Sequence, residues 1–303
     1  MKNAIKVLCF TLAFIIVGSS AAFFYLKWGK SDFDFVDGTE KGTVKITAYN
    51  GESKDVVIPS KIKGKKVTQI DTLAFEDSDI TSIEIGKNVT YLGKSVFRGC
   101  QKLKSVKLGK SLISIDEGCF NDCTTLEEIV LPKTLQKLGG SIFSGCTSLK
   151  KVEIEDGSNF VIKDDVLFSA DMKTLYFALP YADLGDYVCP DTVETVSPLA
   201  FYKIEKLNSF KFSGKIKTVP QGMFILCKNL KEIVVPDSVT KIGSAIMTSS
   251  GVKKITIPSS VTEIDKSAFV LTDGEIDKEL VIKTVKGSKA ETYAKANGIK
   301  IEY

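Results

Sequence analysis

Apolar residues return at fixed intervals along this chain. Ile83, Val106, Ile129 and Val152 lie 23 residues apart, and Phe210, Ile233 and Ile255 follow at 23 and then 22. An aromatic series keeps the same beat at Phe75, Phe97, Phe120 and Phe143, then at Phe201, Phe224, Met247 and Phe269. One complete unit reads Leu126, Ile129, Leu131, Pro132, Leu135, Leu138, Phe143, Cys146, Leu149. A unit of this size cannot enclose its own apolar residues. A constant period of 22–23 therefore predicts a solenoid in which each unit buries its face against its neighbours.

Within a unit the apolar positions alternate: Ile83 and Ile85, Ile129 and Leu131, Ile233 and Val235, Ile255 and Ile257. Period-two alternation of β-branched residues, closed by Pro132, Pro236 or Pro258, predicts a strand of three to five residues that stops where proline removes a ladder donor. Stacked units then give a parallel sheet. A second apolar pair, such as Leu135 and Leu138 or Val239 and Ile242, turns the chain inward again before the phenylalanine. Gly93, Gly139 and Gly243 follow that pair, where a turn with positive φ is expected.

The phrase from Leu126 to Cys146 resembles the BspA-like leucine-rich repeat family of surface proteins, and the resemblance covers nearly everything after residue 35. It implies a mainly β repeat solenoid, a leucine-rich-repeat-like stack of 22–23-residue units with short parallel strands. The stretches Gly42 to Thr47, Val56 to Pro59 and Gly64 to Val67 resemble the family's N-terminal hairpin cap. At the other end, Ser288 and Glu291 form a capping-box pair, and Asn297-Gly298 ends a short C-terminal helix. The beat fails once, because Phe143 and Phe201 are 58 residues apart. An irregular insertion at about 155–190 is expected there, with Val166-Leu167-Phe168 and Leu175-Tyr176-Phe177 as a β-hairpin turning at Asp171.

The first 30 residues are a different kind of sequence. Val7 to Leu26 are 20 residues without a charge, enough for a helix of about 30 Å. Lys2, Lys6 and Lys27 flank them, and Tyr25 and Trp28 stand where aromatic rings favour a membrane interface. The expected organisation is a short cytoplasmic tail at 1–6, a transmembrane signal anchor at 7–26, a linker at 27–34 and the repeat solenoid at 35–303. The alternative is a cleaved signal peptide ending near Ser20 and Ala22. The anchor makes the chain a single-pass cell-membrane protein with extracellular repeats, and cleavage makes it secreted.

Charge narrows the partners. Residues 1–30 hold four lysines and no acid, the whole formal charge of +4, so the repeats are neutral, with Arg98 their only arginine. Guanidinium groups are the usual readers of guanine edges and phosphates, so nucleic acid is not an expected partner.

The sequence contains seven cysteines and no histidine. Cys100, Cys123, Cys146 and Cys227 each fall three residues after the phenylalanine, where other units carry Ser78, Ile204, Ser250 and Thr272. Such a position reads as a small inward slot filled by a buried thiol. Bridging Cys100 to Cys123 stays open on distance, since stacked strands are about 5 Å apart.

Without histidine, Ser-His-Asp and Cys-His catalysis and histidine-bearing metal sites are excluded. Asp156, Asp164 and Asp165 keep a two-carboxylate glycosidase open as a lesser alternative. No cofactor is expected. Leu131 to Thr134 imitates a cell-wall sorting signal, but Leu135 stands where glycine is needed.

The resemblance implies binding: a non-enzymatic cell-surface protein-protein interaction or adhesion module, with a protein or surface glycan as ligand and the membrane reached through the N-terminal segment. A structural envelope component without a specific ligand is the alternative. The candidate ligand face is the set of strand positions the core leaves free: Lys104 and Lys107, Glu127 and Glu128, Lys150, Lys151 and Glu153, Lys231 and Glu232, Lys253 and Lys254. Interface hot spots are usually aromatic or arginine, which this face lacks, so a weak or multivalent contact is expected.

Overall fold

The computed structural model describes residues 31–303. The expected membrane segment at 7–26 lies outside the described residues, and among them no helix is long and apolar enough to cross a membrane. The described residues form a mainly β solenoid, and the residues that mark the period are its ladder partners. Ile83 pairs with Val106, Ile129 with Val152 and Ile233 with Ile255 across parallel strands. These belong to the first strand column, which runs through Asp55–Val57, Ser82–Glu84, Ser105–Lys107, Glu128–Leu131 and Lys151–Ile154. It resumes after the insertion with Gly185–Val188, Leu207–Lys211, Glu232–Val234, Lys254–Thr256, Val281–Lys283 and Lys300–Glu302.

A second column of mostly two-residue strands, including Tyr91–Leu92, Ser114–Ile115 and Lys137–Leu138, is made by the second apolar pair of each unit. The third side consists of turns. Here the phenylalanines point inward and stack: ring centroids are 5.3 Å apart for Phe75 and Phe97, 5.3 Å for Phe97 and Phe120, and 5.8 Å for Phe120 and Phe143. All four rings are buried, each contributing about 1.5–3 kcal/mol by transfer from water.

The turn side bends through two left-handed residues per unit, four positions apart. They are Leu73 and Asp77, Ser95 and Gly99, Gly118 and Asp122, and Ser141 and Gly145, with φ between 49° and 77°. This corrects the expectation for Gly93, Gly139 and Gly243, none of which has positive φ. Glycine is needed there for closeness: a Cβ on Gly139 would lie 2.2 Å from the backbone nitrogen of Glu117, and one on Gly93 2.6 Å from that of Thr72. The bend falls two residues later, at Ser95, Ser141 and Ala245.

Both ends are capped. At the N-terminal end Phe33–Asp37 runs antiparallel to Thr43–Tyr49, and Tyr49 stacks on Phe75 at 5.2 Å to close the aromatic column. The first strand thus begins at Phe33, inside the stretch read as a linker. At the C-terminal end the helix Lys289–Asn297 starts at Ser288, whose hydroxyl accepts from Glu291 N, and stops at left-handed Gly298. Glu291 reaches back to Gly287 N at 2.6 Å rather than to Ser288, one residue beyond the usual capping box.

The insertion is three antiparallel strands, Phe160–Lys163, Val166–Ser169 and Thr174–Ala178, the last of which joins Thr195–Val196 in parallel. Asp164 and Asp165 form the two-residue turn of its first hairpin, with φ of 50° and 56°. The sheet divides the core in two. Leu167 and Phe177 pack with the units before it, while Val166, Phe168 and Leu175 pack with those after it.

Candidate functional site

The candidate face lies on the outer surface of the first strand column, and the stacking brings its members into rows. Because neighbouring strands are in register, residues one period apart meet side by side and their charges pair across rungs. Lys107 bonds Glu84 at 3.0 Å and Lys150 bonds Glu127 at 3.2 Å. Lys253 reaches Glu279 at 3.0 Å, Lys254 reaches Glu302 at 2.6 Å, and Lys151 pairs with Glu153 on its own strand. The carboxylate partners hold the ammonium pKa values of Lys151, Lys253 and Lys254 above the ordinary lysine range.

Lys231 donates to the carbonyl of Lys228 at 2.9 Å. Among the described residues Lys104, Glu128 and Glu232 make no ion pair. Lys104, Glu127, Glu128, Lys150 and Lys151 line one shallow depression on this face, whereas Lys231, Glu232, Lys253 and Lys254 lie on the far side of the insertion. Interspersed with the charges are exposed valines, Val57, Val130, Val188 and Val234. Exposed pairs of this kind stabilise by less than about 1 kcal/mol each, so the face is nearly free to change without unfolding the stack.

Asp156, Asp164 and Asp165 are not gathered into a catalytic pair: two are turn residues and Asp156 is exposed. Among the described residues no cluster of three acids or thiols is arranged to hold a metal. All six described cysteines are free and buried. Those following a phenylalanine donate to the phenylalanine carbonyl one repeat earlier, Cys100 to Phe75 at 3.0 Å, Cys123 to Phe97 at 3.2 Å and Cys227 to Phe201 at 3.0 Å.

A second site arises where the insertion interrupts the turn side. A pocket of about 320 Å³ opens between the turn at Ser141–Thr147 and the turn at Leu199–Lys206. Phe143, Cys146, Phe177 and Leu199 form its apolar lining. Ser144, Thr147, Tyr181, Tyr202, Lys203 and Glu205 supply its polar groups. The two turns touch at one end, where Ser141 Oγ donates to Leu199 O at 2.9 Å. At the other end Phe177 and Ala178 hold them apart, with Phe177 edge-on to Phe143 at 6.0 Å and Ala178 N bonded to Ala200 O at 2.7 Å. None of these residues stands among the sequence candidates. The available signals were the 58-residue gap and Tyr202, an aromatic where the other units carry Glu76, Arg98, Asn121, Ser144, Ile225, Thr248 or Val270 after the phenylalanine or methionine.

Comparison with known proteins places these features. Residues 68–188 and 182–273 match the BspA type leucine rich repeat region, in six copies. Among solved structures the chain resembles the pneumococcal vaccine antigen PcpA, with 20% identity and a TM-score of 0.59 over 90% of this chain and 99% of that one. It also resembles a leucine-rich repeat protein from Eubacterium ventriosum, with 17% identity and a TM-score of 0.53 over 86% and 90%. A leucine rich cell surface protein from Faecalibacterium prausnitzii aligns at 20% identity with a TM-score of 0.49 over 91% and 98%. For the first two, at these identities, the likeness is one of fold. No curated protein matches the chain.

Proposed function

The chain belongs to the BspA-type leucine-rich repeat family, and from that premise we propose that it is a non-enzymatic interaction or adhesion module displayed at the cell surface. One observation carries this reading. The outer face of the first strand column presents in-register rows of charged and valine side chains that the fold does not require, and an extended partner can lie along them. Each contact is small, so affinity comes from repetition along the rows. A protein or a surface glycan is the ligand class, with the N-terminal segment at 7–26 as the membrane attachment.

The test is capture of matrix proteins, surface glycans and envelope proteins by the full-length chain. It is repeated with a variant carrying Glu127→Lys, Glu128→Lys, Lys150→Glu and Lys151→Glu. A partner held by the parent and lost from the folded variant supports the reading. A partner held equally by both removes this face from it.

A second reading, a structural envelope component without a specific ligand, is favoured by the pairing of Lys107, Lys150 and Lys253 with glutamates of neighbouring rungs. Charges neutralised within the face offer less to a partner. Under that reading no reproducible partner is captured, and loss of the chain alters envelope integrity.

A further inference from the structure

We propose that the pocket beside the insertion is a saccharide-binding subsite. The inference rests on the reading of the chain as a surface interaction module and gives that module a defined ligand position. Its basis is an interruption in the backbone ladder. At five junctions of the turn side, three N–H groups of one turn donate to three carbonyls of the next. Thus Gly118, Phe120 and Asp122 donate to Gly140, Ile142 and Ser144 at 3.2, 2.9 and 2.7 Å, and Leu199, Phe201 and Lys203 donate to Gln221, Met223 and Ile225 at 3.0, 3.0 and 2.8 Å.

The turn at Ala245–Ser249 keeps only the first of these bonds and shifts the second to Ile246 N, and the turn at Ser141–Gly145 keeps none. Ser141 N, Phe143 N and Gly145 N have no acceptor among the described residues, and the carbonyl of Tyr202, where Gly145 would donate, receives no bond. Phe143 is only 1% exposed, so its N–H is also largely withdrawn from water. Unpaired buried backbone donors are rare in proteins, and here they border an open pocket.

The groups around that pocket define the ligand. Gly145 N–H and Lys203 donate, the Tyr202 carbonyl and Glu205 accept, the Ser144 hydroxyl does both, and the Thr147 hydroxyl, which donates to Thr124 O at 3.5 Å, accepts, while Lys206 is held by Asp183 at 2.9 Å. Lys203 and Glu205 make no ion pair among the described residues. A ligand that meets donors and acceptors of both kinds, without net charge, is a polyol. Tyr181 and Tyr202 add aromatic faces for the C–H side of a sugar ring, and the pocket volume suits a mono- or disaccharide. An anion would meet Glu205. An extended peptide would need the ladder position that Ala178 already occupies through Ala200.

The experiment is isothermal titration of the full-length protein with lactose, maltose, cellobiose and chitobiose, alongside a wider glycan array and acetylated dipeptides of matching size. At least one saccharide is expected to bind, and Tyr202→Ala to weaken it at least tenfold. Glu205→Gln, at an exposed side chain, provides the same test should Tyr202→Ala misfold, while Lys87→Ala, at an exposed side chain outside both the pocket and the candidate strand face, leaves binding unchanged. The proposal is overturned if no saccharide binds in either format, if binding survives both pocket variants, or if only the dipeptides bind. Partner capture through the strand face without any saccharide binding defeats this inference alone. Absence of both defeats the surface-module reading as well.

Discussion

Cys146 Sγ donates to the carbonyl oxygen of Phe120 at 3.1 Å, joining one repeat to the one before it at the inner corner of the turn side. That oxygen already accepts from Cys123 N at 3.2 Å, so the buried thiol fills its second lone pair. Serine, which fills the equivalent slot at Ser78 and Ser250, is small and carries a donor, whereas Ile204 shows that the slot also takes an apolar side chain. Cys146→Ser is therefore expected to lower stability less than Cys146→Ala. The alanine variant loses the donor and leaves a small void, a cost of about 1–2 kcal/mol. Chemical denaturation of the two variants measures the difference, and an alanine variant as stable as the serine one contradicts it.

The same burial makes the thiols unreactive. Desolvation pushes the pKa of Cys100 and of Cys227 up to about 12 and that of Cys189 up to about 11. Cys119 is raised further, again by desolvation, and Cys123 is raised by its neighbour Cys146 and by burial. Nucleophilic attack requires thiolate, which is scarce at pH 8 for all of these groups. Titration of the folded protein with a thiol-disulfide reagent at pH 8 should leave Cys100, Cys119, Cys123, Cys189 and Cys227 unmodified for as long as the fold persists, and denaturant should release them together. Rapid labelling of any of the five in the native state would show that the turn side opens.

Close approach between repeats gives a paired test. The Cβ of Gly139→Ala would fall 2.2 Å from Glu117 N and 2.5 Å from the carbonyl carbon of Asp116, both backbone atoms that cannot rotate aside. Two rungs must separate to admit it, at a cost of about 1–3 kcal/mol or more. Gly214 has nothing within 4 Å of its Cβ position and no positive φ. Gly214→Ala should be neutral or stabilise by about 0.4–1 kcal/mol through the unfolded chain. Thermal unfolding of the two variants is expected to shift in opposite directions, or only for Gly139→Ala.

The repeat was legible because its core positions are chemically uniform. Phe75, Phe97, Phe120 and Phe143 are the same residue at nearly the same spacing, so the stack can be counted from the sequence, and so can the small slot at Cys146. The left-handed corners were not legible. They fall on leucine at 73, serine at 95 and glycine at 118, and the stacking that forces φ positive is a property of the assembled coil rather than of any one residue. The hairpin at Val166–Ala178 was readable from its alternation. Its consequence was not, because the pocket between Gly145 and Tyr202 comes from register lost between turns 58 residues apart. Local pattern carries no trace of a hydrogen bond that fails to form.

The C-terminal cap makes stability depend on pH through Glu291. Its carboxylate bonds Lys295 Nζ at 2.8 Å, accepts from Tyr303 Oη at 2.6 Å and from Gly287 N at 2.6 Å. These contacts, Lys295 first, lower its pKa from 4.5 to about 2. A carboxyl whose folded pKa lies below its unfolded value favours the folded state above the unfolded value, and that contribution disappears as the pH falls through the folded one. The helix Lys289–Asn297 should therefore lose its anchoring between pH 4.5 and about 2. Glu291→Gln should remove this dependence, keeping an acceptor for Gly287 N but no charge for Lys295. Unfolding curves of the parent and the variant, recorded from pH 6 to pH 2, are expected to differ most at pH 6 and to converge near pH 2. A constant difference across that range would mean that the cap is held by packing of Tyr293 against Phe269, whose rings meet edge-on at 5.4 Å, and not by the carboxylate.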